Sequence, residues 1–106
     1  MNTKALQAQI KKDFEAGLNP FFVNASLGTT NTGAVDNIQN IGTIAKAQQL
    51  WFHIDAAYGG FFKLVDDCAP YFEGVEQADS MTLDPHKSLF LPFGTGAVLI
   101  LSLIHI

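Results

Sequence analysis

The chain is poor in the residues that would tie it to several common protein classes. It has one cysteine, Cys68, so no internal disulfide can form. That is compatible with a reducing, cytoplasmic setting, where a lone cysteine usually serves as a small buried hydrophobe. Lys and Arg together number only six against ten acidic residues, a net charge of −4. This balance argues against a nucleic-acid surface and supplies no polybasic anchor for an anionic membrane. No N-terminal segment has the charged-then-apolar build of a secretory signal, and the longest apolar stretch falls short of the roughly 20 residues that span a bilayer. The three histidines are not at metal-ligand spacing, so no metal is expected.

What is present is a globular pattern, 48% hydrophobic and 15% charged over 106 residues. Thr3 can cap a helix whose Leu6, Ile10 and Phe14 fall at i, i+4 and i+8 on one stripe; Gly17 and Pro20 then stop it. Phe21–Leu27 reads as a buried strand, followed by the polar loop Gly28-Thr29-Thr30-Asn31-Thr32-Gly33. Asp36 can cap a second helix with Ile38, Ile41, Ile44 and Ala45 inward. Leu50–Asp55 is a second strand, closed by Gly59-Gly60. Short helical turns punctuated by Pro70 and Gly74 lead to a third strand, Ser80–Asp84, and Gly96–Ile100 makes a fourth. Apolar strands separated by helices predict an α/β fold with a mainly parallel sheet covered on both faces. In such sheets ligands collect beyond the strand carboxyl ends. The loop after Leu27, Asp55, and the segment Asp84–Lys87 all fall there.

Two of these positions carry a specific chemistry. Lys87, in Asp84-Pro85-His86-Lys87, offers an amine that can form an imine with an aldehyde cofactor. Asp55, in His53-Ile54-Asp55-Ala56-Ala57-Tyr58-Gly59-Gly60, offers a carboxylate at the end of an apolar run. There it is expected to be poorly solvated and in need of a cationic partner such as a pyridinium nitrogen. The plainer alternatives are a solvated surface lysine and a helix-capping aspartate.

Together with Asn24-Ala25-Ser26-Leu27-Gly28-Thr29-Thr30, these motifs resemble, in order and spacing, the group II pyridoxal-phosphate-dependent amino acid decarboxylases. The resemblance runs from Leu6 to about Ile100. It implies the large cofactor-binding domain of a fold-type I pyridoxal enzyme over residues 1–100, with pyridoxal 5'-phosphate as cofactor. It also implies decarboxylation of a small-molecule L-amino acid, and a cytoplasmic homodimer for the full-length parent. Lys87 would be the imine lysine and Asp55 the partner of the ring nitrogen. Ala57 would pack on the ring face and Thr30 would support Asp55. His86 would contact phosphate or relay a proton. Asp84 stands where animal members usually carry asparagine near the phosphate; a carboxylate there must point away, be protonated or be compensated. His53 shares a face with Asp55 and is expected mainly to pack, and Ser88 replaces a bulkier residue of many relatives.

Other pyridoxal enzymes, including aminotransferases, desulfurases and aldehyde-forming relatives, share the lysine and aspartate logic. A non-catalytic α/β binding module is the alternative from another class. The chain is further expected to be an internal part of a longer enzyme, inactive and marginally stable alone. Residues 101–106, Leu-Ser-Leu-Ile-His-Ile, match the translated end of a transposon used in library preparation and are read as a non-native tail.

Overall fold

A computed structural model describes residues 1–100; the expected non-native tail at 101–106 lies outside the described residues. Helix α1 spans Thr3–Glu15, strand β1 Phe22–Ser26, helix α2 Ile38–Ala47 and strand β2 Trp51–Asp55. Three short 3-10 helices, Gly60–Leu64, Asp66–Phe72 and Val75–Gln77, lead to strand β3, Ser80–Leu83. Helix α3, Pro85–Ser88, and strand β4, Ala97–Ile100, follow. The sheet order is β1-β2-β3-β4. The first three strands run parallel, and β4 pairs antiparallel with β3 at the edge.

The helix caps lie one residue from their expected places. Asn2, not Thr3, caps α1, its side chain accepting from the Ala5 N–H at 3.0 Å. At the other end Gly17, at φ 77°, reverses the chain. There Leu18 N–H donates to the Asp13 carbonyl and Gly17 N–H to that of Phe14, a Schellman closure. Asn37, not Asp36, caps α2 through the Asn40 N–H at 2.9 Å. Asp36 instead accepts from the Ser26 N–H at 2.9 Å and so pins the loop base to the end of β1. We expect Asn37→Ala to cost about 1 kcal/mol in a urea melt, the usual effect of losing such a cap.

One face of the sheet is filled. Val23 and Ala25 of β1, Phe52 and Ile54 of β2, and Met81 of β3 form a single buried cluster with Ile38, Ile41, Ile44 and Ala45 of α2. Phe52, Leu27, Ile41 and Ile54 are each less than 2% exposed. Burying a side chain of this size contributes roughly 1.5–3 kcal/mol. Of the α1 stripe, Ile10 is buried but Phe14 remains 43% exposed, because α1 reaches the core through one turn.

The opposite face presents Asn24, Trp51, His53 and Asp55, none of them buried. Strand alternation places polar residues here, and among the described residues no helix covers them. Trp51 and His53 are organised by side-chain hydrogen bonds between β2 and β3. Trp51 Nε1–H donates to Ser80 Oγ at 2.8 Å, and His53 Nδ1 bonds the same oxygen at 2.8 Å. The second His53 nitrogen, Nε2, lies 3.1 Å from Thr82 Oγ1. The edge strand β4 is exposed along its whole length, as are Phe90 and Phe93 at 92% and 96%.

Candidate functional site

The site is assembled at the carboxyl ends of β1, β2 and β3. The backbone of the loop after β1 is drawn against that of the loop after β2 by two glycines. A Cβ on Gly28 would lie 2.8 Å from Gly59 Cα, and one on Gly59 would overlap the Leu27 carbonyl. Only hydrogen fits at either α-carbon. Gly28 also sits at φ 85°, the left-handed conformation that glycine adopts freely. The loop itself is held by Thr29, whose Oγ1 bonds Thr32 Oγ1 at 2.9 Å and accepts from the Ala34 N–H at 3.1 Å. Thr30 makes no such loop bond among the described residues, and both threonines border the site.

Between these loops and α3 lies a cavity of about 110 Å³. Asp55, Ala57, Thr30 and Lys87 all line it, joined by Ser26, Gly28, Thr29 and Tyr58. Four of the six residues singled out in the sequence therefore border one hollow, Lys87 and Asp55 among them. Ser26, Gly28 and Tyr58 were not singled out. Tyr58 follows Ala57 directly and precedes the glycine pair, the one local signal that could have marked it.

Asp55 is exposed at the mouth of the sheet, contrary to the poor solvation expected from its apolar run. It is the last residue of β2, and its side chain falls on the open face rather than the filled one. Its Oδ1 accepts from the Ala57 N–H at 3.1 Å. Among the described residues no hydrogen bond uses Oδ2, and none joins Thr30 to Asp55.

Lys87 is carried on α3, which begins with Pro85 at its first position directly after Asp84. Its Nζ stands 3.1 Å from Asp84 Oδ2, with the lysine side chain 31% and the aspartate 19% exposed. The charge of Asp84 is thus compensated from within the motif. His86 turns away: its Nδ1–H donates to the Thr95 carbonyl, and its ring packs edge-on against Phe93 with centroids 5.3 Å apart. Neither Asp84 nor His86 lines the cavity. His53, which the sequence placed on the same face as Asp55, bonds Ser80 and Thr82 rather than that carboxylate. The Ser88 hydroxyl is buried without a hydrogen-bond partner among the described residues.

A primary amine, a carboxylate and a small methyl side chain around one hollow form a donor set that suits a flat, aldehyde-bearing heterocycle. Comparison with known proteins decides the family. The model of the pyridoxal-dependent decarboxylase conserved domain matches residues 1–102. The chain belongs to this family. Pyridoxal phosphate is accordingly its cofactor, and the residues lining the cavity fit that group.

Among its relatives is the aromatic-L-amino-acid decarboxylase of Bacillus atrophaeus. It is 42% identical over 100 residues, covering 94% of this chain and 21% of the relative. The phenylacetaldehyde synthase of Arabidopsis thaliana is also 42% identical, over 87 residues that make up 82% of this chain and 18% of that protein. The apo crystal structure of mouse CSAD superposes with a TM-score of 0.93 at 35% identity, over 98% of this chain and 22% of that one. The chain thus spans about a fifth of the length of the relatives it matches. No helix among the described residues is long and apolar enough to cross a membrane.

Proposed function

We propose that this chain forms the cofactor-anchoring part of an enzyme that removes the α-carboxylate of an L-amino acid, releasing an amine and carbon dioxide. The observation that carries the reading is the meeting of Lys87 and Asp55 on one cavity wall, next to Ala57 and Thr30. When bound, pyridoxal phosphate supplies an electron sink for the pair released as a bond to the α-carbon breaks. The chain supplies the rest. Lys87 would hold the cofactor covalently through its side-chain amine. The Asp55 carboxylate holds a proton at the ring nitrogen, with Oδ1 already oriented by the Ala57 N–H. Ala57 presents a methyl group where a flat ring needs clearance. Thr30 contributes a hydroxyl to the same wall, His86 steadies the segment after α3 through Thr95, and Asp84 acts on Lys87.

The reading includes residues 1–100 as part of the large cofactor-binding domain, a cytoplasmic homodimer as the working form, and an amino acid as the only substrate class. The exposed Phe90 and Phe93 are consistent with further burial in such an assembly. A second reading is favoured by one relative, the phenylacetaldehyde synthase, which equals the decarboxylase in identity. It has the same anchoring residues release an aldehyde. The test is to incubate the full-length protein and pyridoxal phosphate with a panel of L-amino acids, then assay carbon dioxide, amine and aldehyde. Amine in equal amount with carbon dioxide is expected. Aldehyde in place of amine would select the second reading, and keto acid without carbon dioxide would reject both.

A further inference from the structure

We propose that Asp84 is a positioning residue that latches Lys87, holding its ammonium in reserve and setting how fast the amine can attach to an aldehyde. The inference rests on the assignment of Lys87 as the anchor. It is carried by the ion pair of Asp84 Oδ2 with Lys87 Nζ at 3.1 Å, three residues apart across the start of α3. Lys87 also lines the cavity that holds Asp55, yet its ion pair among the described residues is with Asp84.

The two partners are not equally mobile. Asp84 is tied down at both ends. Its backbone N–H donates to the Ala57 carbonyl at 3.2 Å, and its own carbonyl accepts from the Lys87 N–H at 3.0 Å. Its other carboxylate oxygen, Oδ1, is packed so closely against Gly96 that a Cβ there would stand 3.2 Å away. The aspartate is also the more buried of the pair, at 19% against 31%. The carboxylate therefore stays, and the long, flexible lysine stem is the part that moves. Leaving the latch, Nζ needs only to rotate within a cavity it already borders.

Attachment has a definite balance. Nζ bonds to the aldehyde carbon, first singly and then doubly. The carbonyl oxygen leaves as water with two of the three ammonium protons, and the third passes to solvent. The ammonium paired with Asp84 carries no lone pair, so attachment requires Nζ to leave the carboxylate and give up its first proton to solvent. A half-exposed ion pair between charged side chains is modest in strength. Its removal should therefore speed attachment by a modest factor, on the order of fivefold.

The test compares the full-length protein with its Asp84→Asn variant, using pyridoxal, which has no phosphate, and in parallel pyridoxal 5'-phosphate. The rate of the near-ultraviolet absorbance change is followed, and the adduct is trapped with borohydride and mapped by mass spectrometry. Asp84→Asn should attach pyridoxal on the order of fivefold faster. An equal or slower rate overturns the latch. So does acceleration seen only with pyridoxal phosphate, because that would report repulsion of the phosphate by Asp84. Raising sodium chloride from about 0.05 M to about 1 M should weaken the pair and speed wild-type attachment of pyridoxal. This arm stands even where the variant fails to fold, and a flat wild-type rate overturns the proposal. Attachment at a lysine other than Lys87 would overturn the assignment of the anchor itself, and the latch with it; attachment at Lys87 with no effect of Asp84 would overturn the latch alone.

Discussion

Lys87→Ala in the full-length protein is expected to abolish covalent cofactor retention and to lower turnover by on the order of a thousandfold or more, the scale seen when a nucleophile that works with neighbouring groups is deleted. The chain has few other candidates for the anchor. Lys11, the lysine of the other side-chain ion pair, is 78% exposed on α1 and pairs with Glu15. Lys63 lies over the Phe72 ring, 5.3 Å from its centroid. Lys87 is the lysine on the cavity wall. The check is borohydride reduction followed by peptide mapping, with residual turnover measured at saturating pyridoxal phosphate. Wild-type protein should carry the adduct on Lys87, and the variant should carry none. A variant that retained a reducible adduct and normal turnover would remove Lys87 from the reaction. Weak non-covalent binding should persist, since Asp55, Ala57 and Thr30 still line the hollow.

Gly59→Ala is expected to be the most damaging single-methyl change in the described chain, at about 3 kcal/mol, the upper range for overpacking a closed contact. The backbone of Gly59 is ordinary, at φ −79°, so alanine meets no torsional penalty there. The cost is purely steric. The added Cβ would overlap the Leu27 carbonyl and lie 2.8 Å from Gly28 Cα, and these are backbone atoms that cannot rotate aside. Separating the two loops would also pull Thr30 and Gly28 from Tyr58 and Ala57, so cofactor retention should fall together with stability. Gly33→Ala is the informative control. It has no neighbour within 4 Å but sits at φ 67°, so it should cost only about 1 kcal/mol, from backbone conformation alone. Urea denaturation followed by circular dichroism checks the order. Equal losses at the two positions would mean that the Gly28–Gly59 contact does not hold the loops together.

The exposed face of the sheet shows where reading along the chain reached its limit. The period of the strands was legible: Phe52 and Ile54 alternate with Trp51, His53 and Asp55, and the structure keeps that alternation. What the alternation could not say was which face is covered. Among the described residues α2 fills one side, and a line of hydrogen bonds through Trp51, Ser80 and His53 organises the other. Those partners are 27 or 29 residues apart, and their meeting depends on β2 and β3 aligning in parallel register. The exposure of Asp55 has the same origin, since a run of apolar neighbours in sequence does not bury a side chain that alternates outward.

Helices α1 and α2 and the four strands follow from short-range physics, namely apolar periodicity and the glycines and prolines that stop regular structure, with the caps within one residue of their expected places. So does the position of Lys87 and Asp55 just beyond strand ends, because a chain leaving a parallel sheet must turn there. Tertiary structure alone decided how those ends are combined. It brought Gly28 against Gly59 backbone to backbone, set β4 antiparallel at the edge, turned His86 toward Thr95, and gave Lys87 to Asp84. Most of these are contacts between segments distant in sequence or choices among nearby partners. They are settled by packing and by the satisfaction of polar groups once the sheet has formed, and no local pattern encodes that outcome.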